Sequence, residues 1–242
     1  MHILVFSDIH ANLTALEAVL LDAGQVDATW CLGDLVGYGP DPNECVERIQ
    51  SLPNLTCLIG NHDAAALNQI DISSFNPEAR RALLWTQKIL LARNYEYLAN
   101  LPPRIELDSV TLAHGSPRQP IWEYLLDTRA ATQNFLYFDT PYCFVGHSHL
   151  PVIYQLVNGR TSADLVIPKP QTTIKMIPRM IFNPGSVGQP RDRDPRAAYA
   201  IYDSNEMTWE NRRVSYDIFG VQSRMQQLGL PDRHIERLSA GW

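Results

Sequence analysis

The sequence predicts an α/β fold with a cluster of polar motifs at one edge. Three observations carry this. The N-terminal half alternates short apolar runs with stretches of helical periodicity. The C-terminal part reads mainly as strands. Six short polar motifs each close an apolar run: Asp8-Ile9-His10, Gly33-Asp34, Gly60-Asn61-His62-Asp63, His114-Gly115, Gly146-His147-Ser148-His149 and Asn183-Pro184-Gly185-Ser186. A β-α-β-α-β order predicts a parallel sheet with its motifs at the carboxyl ends of the strands, where open α/β sheets place their ligands.

Taken in order, Ile3 to Ser7 reads as a buried strand. Asn12 can cap a helix to Leu21, in which Leu13, Leu16, Val19 and Leu20 recur at helical spacing. Thr29 to Leu32 is a strand, followed by a Gly- and Pro-rich loop and a helix from about Asn43 to Gln50. Thr56 to Ile59 is the next strand. Residues 64–100 break the rhythm and read as a helical insertion, with Asn76-Pro77-Glu78 starting a long helix that runs to Leu98. Strands follow at Arg104 to Leu107, Val110 to Ala113 and Tyr142 to Val145, with a helix over Arg129 to Phe138. Beyond Leu150, strands are expected at Val152 to Val157, Leu165 to Ile167, Thr172 to Met176, Met180 to Phe182, Ala198 to Tyr202 and Met207 to Val214. A closing helix is expected over Tyr216 to Leu228. No repeat or interdomain linker stands out, so residues 1–242 are expected to form a single domain of two packed sheets flanked by helices.

The composition narrows the function classes. The chain has 242 residues, 45% hydrophobic and 19% charged, which is enough for one substantial core. A formal net charge of −6 argues against broad nucleic-acid or anionic-membrane binding. A nucleotide substrate stays open, because bound divalent metals make a local field positive. No apolar run approaches the roughly 20 residues of a membrane helix. The first residues form a short strand leading into a motif rather than a signal peptide. Cys31, Cys45, Cys57 and Cys143 show no close pairing and read as buried thiols of a reducing cytoplasm.

The first five motifs supply the donors that a two-metal site needs. Two cations about 3.5–4 Å apart can activate water and neutralise a transferring phosphoryl group. Such a site requires a bridging carboxylate, ligands on both sides and open positions. Asp34, a compact carboxylate after a strand, is the natural bridge. Asp8 and His10, two apart, can face one ion in an extended turn, and His147 and His149 share that spacing. Asn61 offers a neutral carbonyl oxygen, and His114 sits in a ligand-like loop. Each motif alone is weak; their ordered recurrence after apolar runs is not.

These blocks, D-x-H, G-D, G-N-H-[DE], H and G-H-x-H with the trailing N-P-G-S, resemble the calcineurin-like metallophosphoesterase superfamily. The texts around Ser7, His114 and Gly185 look like its compact bacterial, YfcE-like branch. The resemblance implies a four-layer α/β/β/α sandwich. It implies one divalent metal (Mn, Fe, Zn, Ni or Co) held by Asp8, His10, Asp34 and His149. A second would be held by Asp34, Asn61, His114 and His147. It implies that His62 is the catalytic histidine, with Asp63 a candidate orienter of its ring. The arginines of G-D-x-x-D-R-G and of the position before G-N-H-E, typical of protein phosphatases and symmetric diadenosine tetraphosphatases, are absent. Gly33 to Gly39 and Leu58 to Asp63 stand in their place.

The expected function is hydrolysis of a small phosphate ester, a phosphodiester or nucleotide-like substrate, by in-line attack of a metal-bridging hydroxide, with His62 assisting the leaving oxygen. A phosphoprotein phosphatase, a dinucleoside polyphosphate hydrolase and a noncatalytic metal-bound scaffold are the alternatives. Arg118 and Arg191 are balanced between phosphate contact and surface salt bridges. Tyr38 and Trp122 are balanced between stacking on a substrate and packing. His2 and His234 are expected to be structural or exposed.

Overall fold

The computed structural model describes residues 1–242. Two six-stranded sheets pack face to face. The first has the order β3-β2-β1-β11-β12-β9, where β1 is His2–Phe6, β2 Ala28–Cys31, β3 Leu55–Cys57, β9 Thr172–Lys175, β11 Ala197–Asp203 and β12 Thr208–Val214. The second runs β4-β5-β6-β10-β7-β8, with β4 at Arg104–Leu107, β5 Val110–Ala113, β6 Tyr142–Phe144, β7 Pro151–Gln155, β8 Asp164–Val166 and β10 Met180–Pro184. Both sheets are mixed, where the sequence predicted a parallel one. Each contains a parallel trio, β1-β2-β3 and β5-β6-β10, flanked by antiparallel strands. Each of the six motifs follows or occupies the carboxyl end of a trio strand. Two trios packed together therefore bring all six to one edge.

Apolar alternation explains the layering. Ile3, Val5, Trp30 and Leu32 of the first sheet meet Leu112, Phe144, Phe182 and Ile153 of the second in a shared core with Tyr202 and Trp209. Leu4, Phe6 and Tyr199 point the other way, onto helices α1 (Leu13–Ala23) and α2 (Pro42–Gln50). The outer face of the second sheet is covered around α6 (Thr128–Asn134) by Ala131 and Phe135 against Val145, Tyr154 and Ile181. This is the four-layer α/β/β/α arrangement. All four cysteines are buried and free, with Cys31 and Cys57 side by side on adjacent strands.

After α3 (Asn61–Ala66), the stretch expected to be one long helix from Asn76 to Leu98 is two: α4 (Pro77–Ile89) and α5 (Ala92–Ala99). The break at Leu90 and Leu91 has a tertiary cause. Asn43 of α2 accepts from the Leu91 amide at 2.9 Å and donates to the Ile89 carbonyl at 2.9 Å. A second helix follows the expected closing one. α7 (Ile218–Gln227) turns at Gly229 into α8 (Asp232–Ala240), and the two pack through Val221, Met225, Ile235 and Leu238. No helix is long and apolar enough to cross a membrane.

Candidate metal centre

The motif side chains converge in two groups with no member in common: Asp8, His10 and His149, and Asp34, His114 and His147. His10 and Asp34 form a third group with His62, which joins the first two. All of these are at most 4% exposed. The H-x-H pair therefore splits, with His149 facing Asp8 and His147 facing Asp34. Asp8, His10, Asp34, His147 and His149 all have positive φ, between 48° and 64°. The turns are left-handed kinks, not the extended turns that the spacing suggested.

Each carboxylate is tied down by one oxygen and offers the other. Asp8 Oδ2 accepts from the His147 amide at 3.0 Å, and Asp34 Oδ1 from the His62 amide at 2.8 Å. Asp8 Oδ1 and Asp34 Oδ2 are buried without a hydrogen bond. The imidazoles follow the same pattern. Backbone carbonyls face Nδ1 of His10 (Val36, 3.3 Å), His114 (Leu32, 2.9 Å) and His149 (Gln189, 2.5 Å). A carbonyl only accepts, so each Nδ1 carries a proton; His10 and His149, kept neutral by burial, present a bare Nε2, whereas Asp34 keeps a second proton on His114 that a bound cation would displace. His147 is inverted: its Nε2 meets the Trp122 carbonyl at 3.2 Å, leaving Nδ1 for the site.

The inward atoms are then nearly all acceptors. Nε2 of His10 and of His149 face each other at 3.1 Å, with Asp8 Oδ1 at 3.8 and 3.3 Å from them. His114 Nε2 lies 3.4 Å from Asp34 Oδ2 and 3.2 Å from Asn61 Oδ1. Lone pairs pointed at one another in a dry site call for a cation. The residues present fit divalent metal binding.

The charges show the same demand. Burial lifts the Asp8 carboxyl to about 7. Burial would lift Asp34 too, but the neighbouring imidazoles, His114 first, outweigh it and hold that carboxyl well below its usual range. Burial disfavours charge on His114, yet Asp34 overcomes it and raises the ring to about 9. Burial pushes His62 down to about 4 and His147 to about 3.

His62 opens α3 and its ring is clamped by aromatics. Tyr38 lies 4.3 Å away, His10 4.8 Å and Phe75 5.0 Å, centroid to centroid. Its Nδ1 has no partner. Asp63 does not orient it, which corrects that expectation. The Asp63 oxygens accept from the Val36 amide at 3.0 Å and the Gly60 amide at 3.0 Å, so Asp63 ties the Asp34 loop to the start of α3. An acid three residues after the first capping position is a known way to close a helix start, and that signal was available in Gly60-Asn61-His62-Asp63. Two glycines permit this closeness. A side chain at Gly60 would collide with Asp34 Oδ1, and one at Gly37 (φ 92°) would meet His62 Nδ1 at 2.6 Å.

The trailing Asn183 block is a brace. Asn183 Nδ2 donates to the Gly146 carbonyl at 2.7 Å and to Ser148 Oγ at 3.0 Å, and Ser186 Oγ donates to the Asp8 carbonyl at 2.8 Å. Arg118 is committed to Glu123 and Gln133 and is a structural arginine. Arg191 has no carboxylate partner and reaches Tyr38 and Gln189. Tyr124, which the sequence did not single out, stacks on His147 at 3.7 Å. Trp122 packs on Phe75 at 5.4 Å, beside it. His2 is exposed, as expected, whereas His234 is fully buried against Tyr38. Two roomy hollows, of about 560 and 610 Å³, lie by Gln25 and by Arg81, away from this cluster. Donor chemistry, not depth, marks the site.

The sequence profile of the calcineurin-like phosphoesterase superfamily domain matches residues 1–207. The chain is 39% identical over 246 residues to the uncharacterized protein MJ0912 of Methanocaldococcus jannaschii, covering 99% of this chain and 98% of that protein. It is 46% identical to a metallophosphoesterase from Sphaerobacter thermophilus of solved structure, with a TM-score of 0.93 over 100% of this chain and 99% of that one. The hypothetical protein PH1004 from Pyrococcus horikoshii OT3 shares the fold at 20% identity, with a TM-score of 0.79 over 100% and 98% of the two chains. The profile spans most of the sequence and two high-identity relatives match end to end, so the chain belongs to the calcineurin-like phosphoesterase superfamily and is a metal-dependent phosphoric ester hydrolase.

Proposed function

We propose that the enzyme hydrolyses small phosphodiester or nucleotide-like substrates at a dinuclear centre. Asp8, His10, Asp34 and His149 would hold one divalent ion, and Asp34, Asn61, His114 and His147 the other. Bound there, the pair supplies an activated water and neutralises charge on the phosphoryl oxygens. The observation that carries this reading is the opposed pair of bare imidazole nitrogens, His10 Nε2 and His149 Nε2, 3.1 Å apart beside the orphaned Asp8 Oδ1.

The chain's own groups do the remaining work. His62, held by the tilted ring of Tyr38 and the edge-on ring of Phe75, donates a proton or hydrogen bond to the leaving oxygen. Asp63 and the Asn183 brace keep the ligand loops in register, which fixes the geometry before substrate arrives. The buried position of the cluster supports a small substrate over a folded phosphoprotein. So does the residue before Gly60, which is the buried Ile59 and not an arginine.

A substrate panel tests the reading: bis-p-nitrophenyl phosphate, p-nitrophenyl phosphate, a phosphopeptide and diadenosine tetraphosphate, each with Mn²⁺ and with chelator. The expected result is metal-dependent turnover of the diester and the dinucleotide, with the phosphopeptide slowest. Phosphopeptide turnover above both, or equal rates with chelator, would overturn it.

A further inference from the structure

Two arginines near the centre, Arg191 and Arg237, form no salt bridge and each keep a buried Nε without an acceptor. Arg191 leaves its neighbouring carboxylates to others, since Asp192 pairs with Arg213 and Asp194 with Arg196. Its Nη2 lies 3.2 Å from Gln189 Oε1 and 3.5 Å from the Tyr38 hydroxyl, and its Nε is buried with no acceptor. Arg237, on α8, also has a buried Nε with no acceptor and forms no salt bridge. Its guanidinium stands 5.3 Å from the Trp242 ring centre. The two arginines feel each other: burial, and next the charge of Arg191, lower the Arg237 pKa, while Glu78 acts on it more weakly than Arg191, Tyr38 or Arg233.

Tyr38 fixes where this group stands. Its ring is 4.6 Å from His10, 4.3 Å from His62 and 4.3 Å from His234, and the Arg191 guanidinium lies 6.0 Å above it. Neither ring nitrogen of the fully buried His234 has a hydrogen bond. Tyr38 therefore gathers the Arg191 guanidinium and the His234 imidazole beside His62, and Arg237 stands three residues on from His234 along α8, on the same side of that helix. Unpaired cations in partly dry surroundings are costly, and adjacent ones repel. A planar guanidinium fork can hold a phosphoryl group through two parallel hydrogen bonds.

We propose that Arg191 and Arg237 form a second anion subsite beside the metal centre, which holds the phosphoryl group next to the one attacked, so that the enzyme selects substrates carrying at least two linked phosphoryl groups. The location of the attacked group rests on the function proposed above. The subsite itself does not: its charge and its unmet donors are properties of the metal-free chain. The C-terminal hairpin, α7 and α8, then acts as a specificity element, because Arg237 comes from it.

The test is equilibrium binding of inorganic phosphate and inorganic pyrophosphate to the metal-free full chain by calorimetry. Wild type should bind pyrophosphate at least tenfold more tightly than phosphate. Arg191→Gln and Arg237→Gln should each weaken pyrophosphate binding about 10- to 100-fold. Arg191→Lys, which keeps the charge but loses the fork, should fall between, and Arg160→Gln, at an exposed pair with Asp164, should match wild type. Without anion, both glutamine variants should melt no lower than wild type, since each removes an unpaired cation; a merely structural arginine would show a lower Tm. With Mn²⁺ bound, adenosine diphosphate should compete with bis-p-nitrophenyl phosphate at least tenfold better than adenosine monophosphate, and that ratio should collapse in both variants. Equal binding of the two anions, or pyrophosphate affinity within threefold of wild type in both variants, would overturn the proposal. Turnover of the diester alongside such a failure leaves the function proposed above standing. An inactive enzyme that still discriminates pyrophosphate overturns the function and keeps the subsite.

Discussion

Asp63→Ala separates a strut from a catalytic orienter. The side chain is fully buried and accepts from two backbone amides, Val36 and Gly60, each at 3.0 Å. Removing it orphans two buried N–H groups at about 1–3 kcal/mol each, so about 2–6 kcal/mol gross. Burial of the charge works the other way: it raises the Asp63 pKa from 3.8 to about 7. An acid whose folded pKa is raised disfavours the fold increasingly as pH climbs from about 4 to about 7. The variant escapes that term. Its destabilisation should therefore be largest on the acid side and shrink by about 3 kcal/mol between pH 5 and pH 8, at about 1.4 kcal/mol per pKa unit. Urea unfolding of metal-free wild type and variant across that range measures it. Activity should fall together with metal affinity, because the loops bearing Asp34 and Asn61 lose their tie. If instead stability and metal content stay at wild-type values while the pH profile of kcat moves, Asp63 acts on the His62 ring and the strut argument is wrong.

Three further outcomes are expected. His62→Ala should lower kcat by about 10²–10⁴-fold with metal content unchanged, by elemental analysis; undiminished turnover would remove His62 from the chemistry. Saturating Mn²⁺ should raise the Tm, by the equivalent of about 2.7 kcal/mol at a hundred times the Kd, and His149→Ala should abolish most of that gain; a Tm indifferent to metal would contradict the donor geometry. Acidification should destabilise the metal-free chain. His10, His62, His147, His149 and His234 all have lowered pKa values, so below about 6.5 the unfolded chain takes up protons that the fold refuses. Asp8 and Asp63, both raised, oppose this. Five groups against two leave a net three protons, or up to about 4 kcal/mol per pH unit near pH 5. A melting temperature flat from pH 5 to 7 in chelator would refute the sign.

The convergence of the candidate site was legible in the sequence because metal-binding side chains are recognisable by residue type. Asp8, His10, Asp34, His114, His147 and His149 each follow an apolar run, and parallel strands deliver such positions to one edge. What stayed hidden depends on partners distant in sequence. The α4–α5 break lies in an unbroken leucine-rich pattern, and it comes from the Asn43 side chain of α2. Asp63 looked like a ring partner by adjacency, but its acceptors are consumed by amides of two loops. α8 follows a proline in a polar stretch, and its buried face of His234, Ile235 and Leu238 shows only once α7 and the Tyr38 loop lie beside it. Arg191 could not be told from a surface arginine until its neighbouring acids were seen to pair with Arg213 and Arg196.

The left-handed ligand turns explain why the Asn183 block belongs to the centre although it supplies no ligand. Five of the seven proposed metal ligands, Asp8, His10, Asp34, His147 and His149, hold φ values that cost an L-residue on the order of 1–2 kcal/mol each. Such a backbone persists only where its surroundings over-determine it. The surroundings do so here by linking the two sheets. Asp8 and His10 donate through their amides to the Gly33 and Asp34 carbonyls, which ties the first turn to the second. The Gly188 amide and the Ser186 hydroxyl both reach the Asp8 carbonyl, and Asn183 grips the turn of His147. Asp8 Oδ2 then accepts from the His147 amide, closing the ring of contacts across the sheet interface. The same kink that strains each ligand turns its free donor atom inward. Strain, brace and lone-pair convergence are one arrangement, and a chain with the ligands but without Asn183 and Ser186 would have to meet that strain with metal binding alone.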